Sequence, residues 1–173
     1  LGHPEGLGAL TEALIPFAGI PGVVTHGSND RVAPRFKNPF SYVVAPSAPH
    51  GDHSGEAMDF AGLTALYERL GWVDIDNAVT HMDIRGSALE WLGVGDAHYG
   101  LDDLSSLPGL LDDAREAREG SNTSLTTLGV THAPYQRVLN ALQNQGAEAI
   151  FAGHTHGGQV CLPGGKALTT NCD

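Results

Sequence analysis

Phe151-Ala152-Gly153-His154-Thr155-His156-Gly157-Gly158-Gln159 is the stretch from which the rest of the chain is read. The apolar run ahead of it, Ala147 to Ala152, has the composition of a short strand, and Gly153 ends that strand. Two imidazoles follow at positions i and i+2. If the chain turns there, as Gly157-Gly158 permits, both rings come near one point. Imidazole is the commonest protein metal ligand and suits Zn, Mn or Fe. The plainer alternative is a glycine-rich turn carrying two solvated histidines. The flanking residues and the other strand exits described below favour the metal reading.

The chain has 173 residues, enough for one domain with a sizeable core. Its hydrophobic content is 41%, and no apolar run approaches the roughly 18 residues of a membrane span. No signal peptide is visible. A net charge of -11 with no basic stripe argues against nucleic acid as the main partner. Two cysteines, Cys161 and Cys172, are too few for a disulfide framework. Nine histidines stand out, because the composition alone gives no reason for them.

From the amino end, Pro4-Glu5 opens an expected helix over residues 5–18, with Leu7, Leu10 and Leu14 on one stripe. Gly22 to His26 reads as a buried strand that delivers the polar turn Gly27-Ser28-Asn29-Asp30. Residues 34–56, rich in Pro, Gly and Ser, are expected to form a surface loop or insertion. That loop contains His50-Gly51-Asp52-His53, read as mobile and solvated. Met58 to Leu70 is an expected helix with Phe60, Leu63, Tyr67 and Leu70 on one face and Gly71 as its stop. Strands are expected at Trp72 to Ile75, Ala78 to Ile84 and Ser87 to Val94, the last two joined as a hairpin at Arg85-Gly86. The third runs into Gly95-Asp96-Ala97-His98. A helix from Leu107 to Glu119, a strand from Leu125 to Val130 ending in Thr131-His132-Ala133-Pro134, and a helix from Tyr135 to Gln145 complete the order. Helices and strands alternate, which predicts an α/β fold with helices packed on sheet faces. Every chemically interesting turn follows a strand, where ligands of such folds gather.

In order, Gly-Ser-Asn-Asp, Thr-His-Ala-Pro and Gly-His-Thr-His-Gly-Gly-Gln resemble the second half of the calcineurin-like metallophosphoesterase family, over nearly the whole chain from Gly22 to Asp173. The last motif resembles the small bacterial branch that acts on phosphoester or pyrophosphate bonds. The resemblance implies a metallophosphoesterase-type β-sandwich flanked by helices. It also implies a hydrolase with two divalent ions (Mn, Fe or Zn) about 3.5 to 4 Å apart that activate a water. His132, His154 and His156 would be metal ligands. Ser28 or Asn29 would fill the ligand position of the Gly-Ser-Asn-Asp turn, with Asn29 and Asp30 also candidate catalytic residues. The histidine that serves the family as general acid is absent from this turn. His26, Asp96 and His98 are candidates on the substrate side, and a good leaving group, such as the phosphate of a pyrophosphate bond, would need an acid less. The implied substrate is a small phosphorylated or pyrophosphate compound.

The family's Asp-x-His and Gly-Asp motifs are missing ahead of Gly27. Two close divalent ions need a bridging carboxylate, so residues 1–173 are expected to be a partial domain whose first strand and motifs lie upstream. Alone it would be a poor phosphoesterase that aggregates through an open sheet edge. Membrane association through a missing amino-terminal segment, or a cytoplasmic location, both fit. Two other classes compete with the enzyme: a non-catalytic metal-binding or scaffolding domain of the same fold, and a simple His-based zinc module holding one ion.

Overall fold

The computed structural model describes residue 3, residues 5–34, 55–118 and 124–155, and the backbone of Val160–Cys161 and Ala167–Thr169. The fold is mixed α/β. Helix α1 spans Gly6–Leu14 and passes into a 3-10 turn at Ile15–Phe17. Leu7, Leu10 and Leu14 are its half-buried stripe. Strand β1 (Gly22–Val24) leads to the single turn α2 (Ser28–Arg31). Helix α3 (Phe60–Leu70) is capped by Asp59, whose carboxylate accepts the Gly62 N–H at 2.8 Å. Its fully buried residues are Leu63, Leu66 and Leu70. The helix is therefore rotated from the expected face: Leu66 lies in the core, while Phe60 and Tyr67 are half-buried and their rings lie against His26.

Strand β2 (Trp72–Asp74) pairs with β1 in parallel, Val24 opposite Asp74. The main sheet has the order β3 (Ala78–Ile84), β4 (Ser87–Val94), β5 (Leu125–Thr131), β6 (Ala149–Ala152). β3 and β4 form the antiparallel hairpin through Arg85 and Gly86, both at positive φ. β4, β5 and β6 run parallel, and parallel neighbours require crossovers. These are supplied by α4 (Leu107–Glu116) and α5 (Gln136–Asn144). Leu107 and Leu111 of α4 and Val138 and Leu142 of α5 share one core with Leu92 and Val94, so both helices cover the same face of the sheet. On the other face Trp91 leans on Phe151, which is 56% exposed. A further antiparallel pair joins β7 (Val160–Cys161) and β8 (Ala167–Thr169).

One charged group lies in the helix-facing layer. Glu90 is 0% exposed and is gripped by Arg115 of α4 (Nη2–Oε1 2.7 Å, Nε–Oε2 3.0 Å), with His81 at 3.0 Å and the Thr127 hydroxyl donating at 2.9 Å. Burial pushes its carboxyl up, but the Arg115, His81 and Thr127 hydrogen bonds and the Arg115 charge outweigh this, and its pKa lies below the ordinary value. The two sheets meet at Gly93, where a Cβ would strike the carbonyl of Ile75, the residue after β2. Only a glycine allows that approach.

Val32 and Ala57 form an antiparallel bridge, with the Ala33 N–H donating to Glu56 O at 2.8 Å and the Met58 N–H to Arg31 O at 3.0 Å. The segment expected as a loop over 34–56 thus leaves and returns at one place. Residues 35–54, including His50-Gly51-Asp52-His53, lie outside the described residues. Among the described residues no helix is long and apolar enough to cross a membrane.

Candidate functional site

Four strand exits deliver side chains to neighbouring positions at the carboxyl ends of β1, β4, β5 and β6. The backbone N–H of Gly153 donates to His132 O at 3.0 Å, tying the exits of β5 and β6 together. His154 sits at φ 64, the left-handed region a histidine seldom adopts, at a cost of about 1–2 kcal/mol. That conformation brings its Nδ1 to 3.2 Å from His132 Nε2. The rings are edge to face, with centroids 5.0 Å apart. Two facing nitrogens at this separation share a proton, or they bind one ion: two bonds of about 2.1 Å meeting near a right angle hold their ends about 3 Å apart. The pair therefore fits a cation.

His132 rests on the turn after β1. A Cβ on Gly27 would lie 2.5 Å from His132 Cε1, so the ring packs directly on the Gly27 backbone. Asp30 fixes that turn by accepting the Gly27 N–H at 2.9 Å. Ser28 is buried, and its hydroxyl donates to Asp96 Oδ2 at 2.6 Å. Asn29 is exposed. Of the two residues offered for the ligand position, Ser28 is the inner one.

Asp96 is 2% exposed, and its Oδ1 accepts the His98 N–H at 2.9 Å. It sits in the interior of the β1–β4 junction. Its carboxylate orients Ser28 and the His98 backbone. The ring of His98 is half-buried, 4.5 Å from the His154 centroid, and its Nδ1 lies 2.9 Å from the Tyr135 hydroxyl. Arg137 on α5 pairs with Asp102 and reaches Ala97 O at 3.4 Å, bracing the same segment. His156 and the Gly157-Gly158-Gln159 turn lie outside the described residues.

His26 does not join this group. Its ring is 1% exposed, edge-on to Phe60 at 4.6 Å, with Nε2 3.1 Å from Asp74 Oδ2. Among the described residues Nδ1 has no partner, so Nε2 is the ring's one polar contact. The ring is thus enclosed by Phe60, Tyr67 and Asp74. Asp76 lies on the same cluster. Its Oδ1 accepts the His26 backbone N–H at 3.0 Å and the Thr25 hydroxyl at 2.7 Å, and Arg31 stands 3.6 Å from Oδ2. Burial raises the Asp74 carboxyl, but the hydrogen bonds from His26 and the Asp76 N–H, with the charges of His26 and Arg31, leave it below the ordinary range. Tyr67 is pushed up to about 12 by burial and by Asp30 and Asp74.

The sequence reading passed over Asp74 and Asp76. The spacing Asp-Ile-Asp around a fully buried Ile75, at the end of a strand, was the available signal, since period 2 turns both carboxylates away from the core. No family model, curated protein or solved structure matches this chain.

Proposed function

We propose that this chain carries the imidazole half of a metal-dependent hydrolase site for phosphoester or pyrophosphate bonds, on a metallophosphoesterase-type β-sandwich flanked by helices. The observation that carries the reading is the approach of His132 Nε2 and His154 Nδ1 to 3.2 Å, from two parallel-strand exits, beside the Gly27-Ser28 turn. Bound divalent cations (Mn, Fe or Zn) would polarise the phosphoryl oxygens and acidify a water.

The chain's own residues then have distinct tasks. His132 and His154 offer nitrogen lone pairs. Ser28, its proton committed to Asp96, keeps its oxygen lone pairs free for a ligand role, while Asp30 holds the turn. His98, fixed beside His154 by Tyr135, is the side chain best placed to hydrogen-bond a phosphoryl or leaving oxygen. His156 is assigned to the same site by the motif resemblance. A small phosphorylated or pyrophosphate substrate suits the net charge of -11 better than a nucleic-acid backbone.

In the whole protein bearing this chain, His154→Ala should abolish Mn²⁺-dependent turnover of bis(p-nitrophenyl) phosphate and not merely raise KM, because the largest stabilisation comes as charge develops on the phosphoryl group. Retention of most of kcat with metal supplied would refute the assignment. A non-catalytic cation-binding domain is the second reading. It is favoured by one observation: the Gly27-Ser28-Asn29-Asp30 turn carries no histidine to serve as general acid. Metal bound with no turnover, in a protein whose His154→Ala form loses that metal, would select it.

A further inference from the structure

The second cluster has a chemistry of its own. One ring nitrogen of His26 and one carboxylate oxygen each of Asp74 and Asp76 lie within 4.8 Å of one another. They come from two places far apart in sequence, the exits of the parallel pair β1 and β2, and each is fixed by packing or by the backbone. Phe60 and Tyr67 box the imidazole. Asp76 Oδ1 is pinned by the Thr25 hydroxyl, and Asp74 Oδ1 by the Asp76 N–H at 2.9 Å. One carboxylate would be enough to satisfy the imidazole. Here two converge on it, and the cation found nearby, Arg31, stays 3.6 Å from the far oxygen of Asp76. Two carboxylates and one imidazole nitrogen gathered in this way form a donor set that a divalent cation can occupy.

The donor set points to the kind of partner. His26 Nε2 and Asp74 Oδ2 are 3.1 Å apart. One imidazole nitrogen and two carboxylate oxygens make a mixed donor set that suits a divalent ion of intermediate hardness. Asp74 is 43% exposed, which leaves a side open for water.

We propose that His26, Asp74 and Asp76 form a mononuclear site for a divalent cation of the Mn²⁺ or Fe²⁺ type, separate from the His132–His154 pair and independent of the hydrolase reading. The site ties the exit of β1 to the exit of β2, directly before the Gly27-Ser28 turn.

Equilibrium dialysis against Mn²⁺ reads the two places apart. The His132→Ala/His154→Ala chain should still bind one Mn²⁺, and adding Asp74→Asn should weaken that binding at least ten-fold. The amide keeps an oxygen for the Asp76 N–H, so the local hydrogen bond survives. On the unaltered chain, Mn²⁺ should broaden the His26 ring resonances in NMR spectra, a measurement that needs no variant. No Mn²⁺ on the double variant, unchanged binding after Asp74→Asn, or a sharp His26 ring at saturating Mn²⁺ would each overturn the site and leave an ion pair of purely structural role. Loss of hydrolysis in the double variant bears on the His132–His154 reading alone.

Discussion

Gly27→Ala tests the candidate site at its tightest contact. The new Cβ would stand 2.5, 2.7 and 2.9 Å from Cε1, Nδ1 and Nε2 of His132. Gly27 has φ -109 and ψ 171, an extended conformation open to any residue, so the backbone does not object. Restricting the unfolded chain even favours alanine by about 0.4–1 kcal/mol. The clash is with the ring alone, which must retreat by about 0.9 Å to restore the 3.4 Å of an ordinary contact. Overpacking of this size costs about 1–3 kcal/mol, so the net loss of stability is at most about 2 to 3 kcal/mol. Disturbing the support of a metal ligand costs about 10- to 100-fold in metal affinity. Calorimetric titration with Mn²⁺ in an Asp74→Asn background follows the His132–His154 place by itself. The expected result is a Kd weaker by about 10- to 100-fold in a protein that remains folded by circular dichroism. An unchanged Kd in the folded variant would show that the Gly27 contact does not set the position of a ligand.

Other substitutions probe the frame. His154→Gly removes the left-handed strain at φ 64, so the metal-free protein should lose little or no stability in urea, while the stabilisation conferred by added Mn²⁺ should fall sharply. Arg115→Ala strips the main partner from a fully buried carboxylate and should cost about 3 kcal/mol by urea denaturation. Because the Glu90 carboxyl is held below its unfolded value, its contribution is present above about pH 4.3 and is lost as pH falls through the lower folded value. Glu90→Gln should flatten that acid limb in a pH series of urea midpoints. Gly93→Ala drives a Cβ into the Ile75 carbonyl and should lower stability by more than about 3 kcal/mol, seen as a collapse of Tm.

Much of the main sheet was legible because its signals are local. The hairpin at Arg85-Gly86, the run Leu125–Thr131 and the apolar strand before Gly153 each announce themselves within a few residues. The strand exits at His132 and His154 were legible for the same reason. The rotation of α3 was not: Phe60 and Tyr67 read as core by spacing, yet the His26 ring draws their faces, and Leu66 goes inside. Asp96 reads as a substrate-side candidate, and nothing nearby in sequence says that Ser28 lies against it. Glu90, set within an apolar strand, signals a buried pair, but Arg115 lies a crossover away on α4. His26, Asp74 and Asp76 likewise become one cluster only through the parallel pairing of β1 with β2.

That pairing also bears on the order in which the molecule assembles. The β3–β4 hairpin and the β4–α4–β5–α5–β6 crossovers close over short stretches of chain. In contrast, Thr25 reaches Val94 O and Ser28 reaches Asp96 across separations of 69 and 68 residues. Loop closure of that length is slow and comes after the local contacts have formed. The β1–α2 arm should therefore dock late in folding and exchange its amide hydrogens sooner than β4 and β5. A cation at either cluster would act as a latch on that arm, so amide protection at Val24 and Thr25 would rise with ligand while protection at Leu92 stayed level.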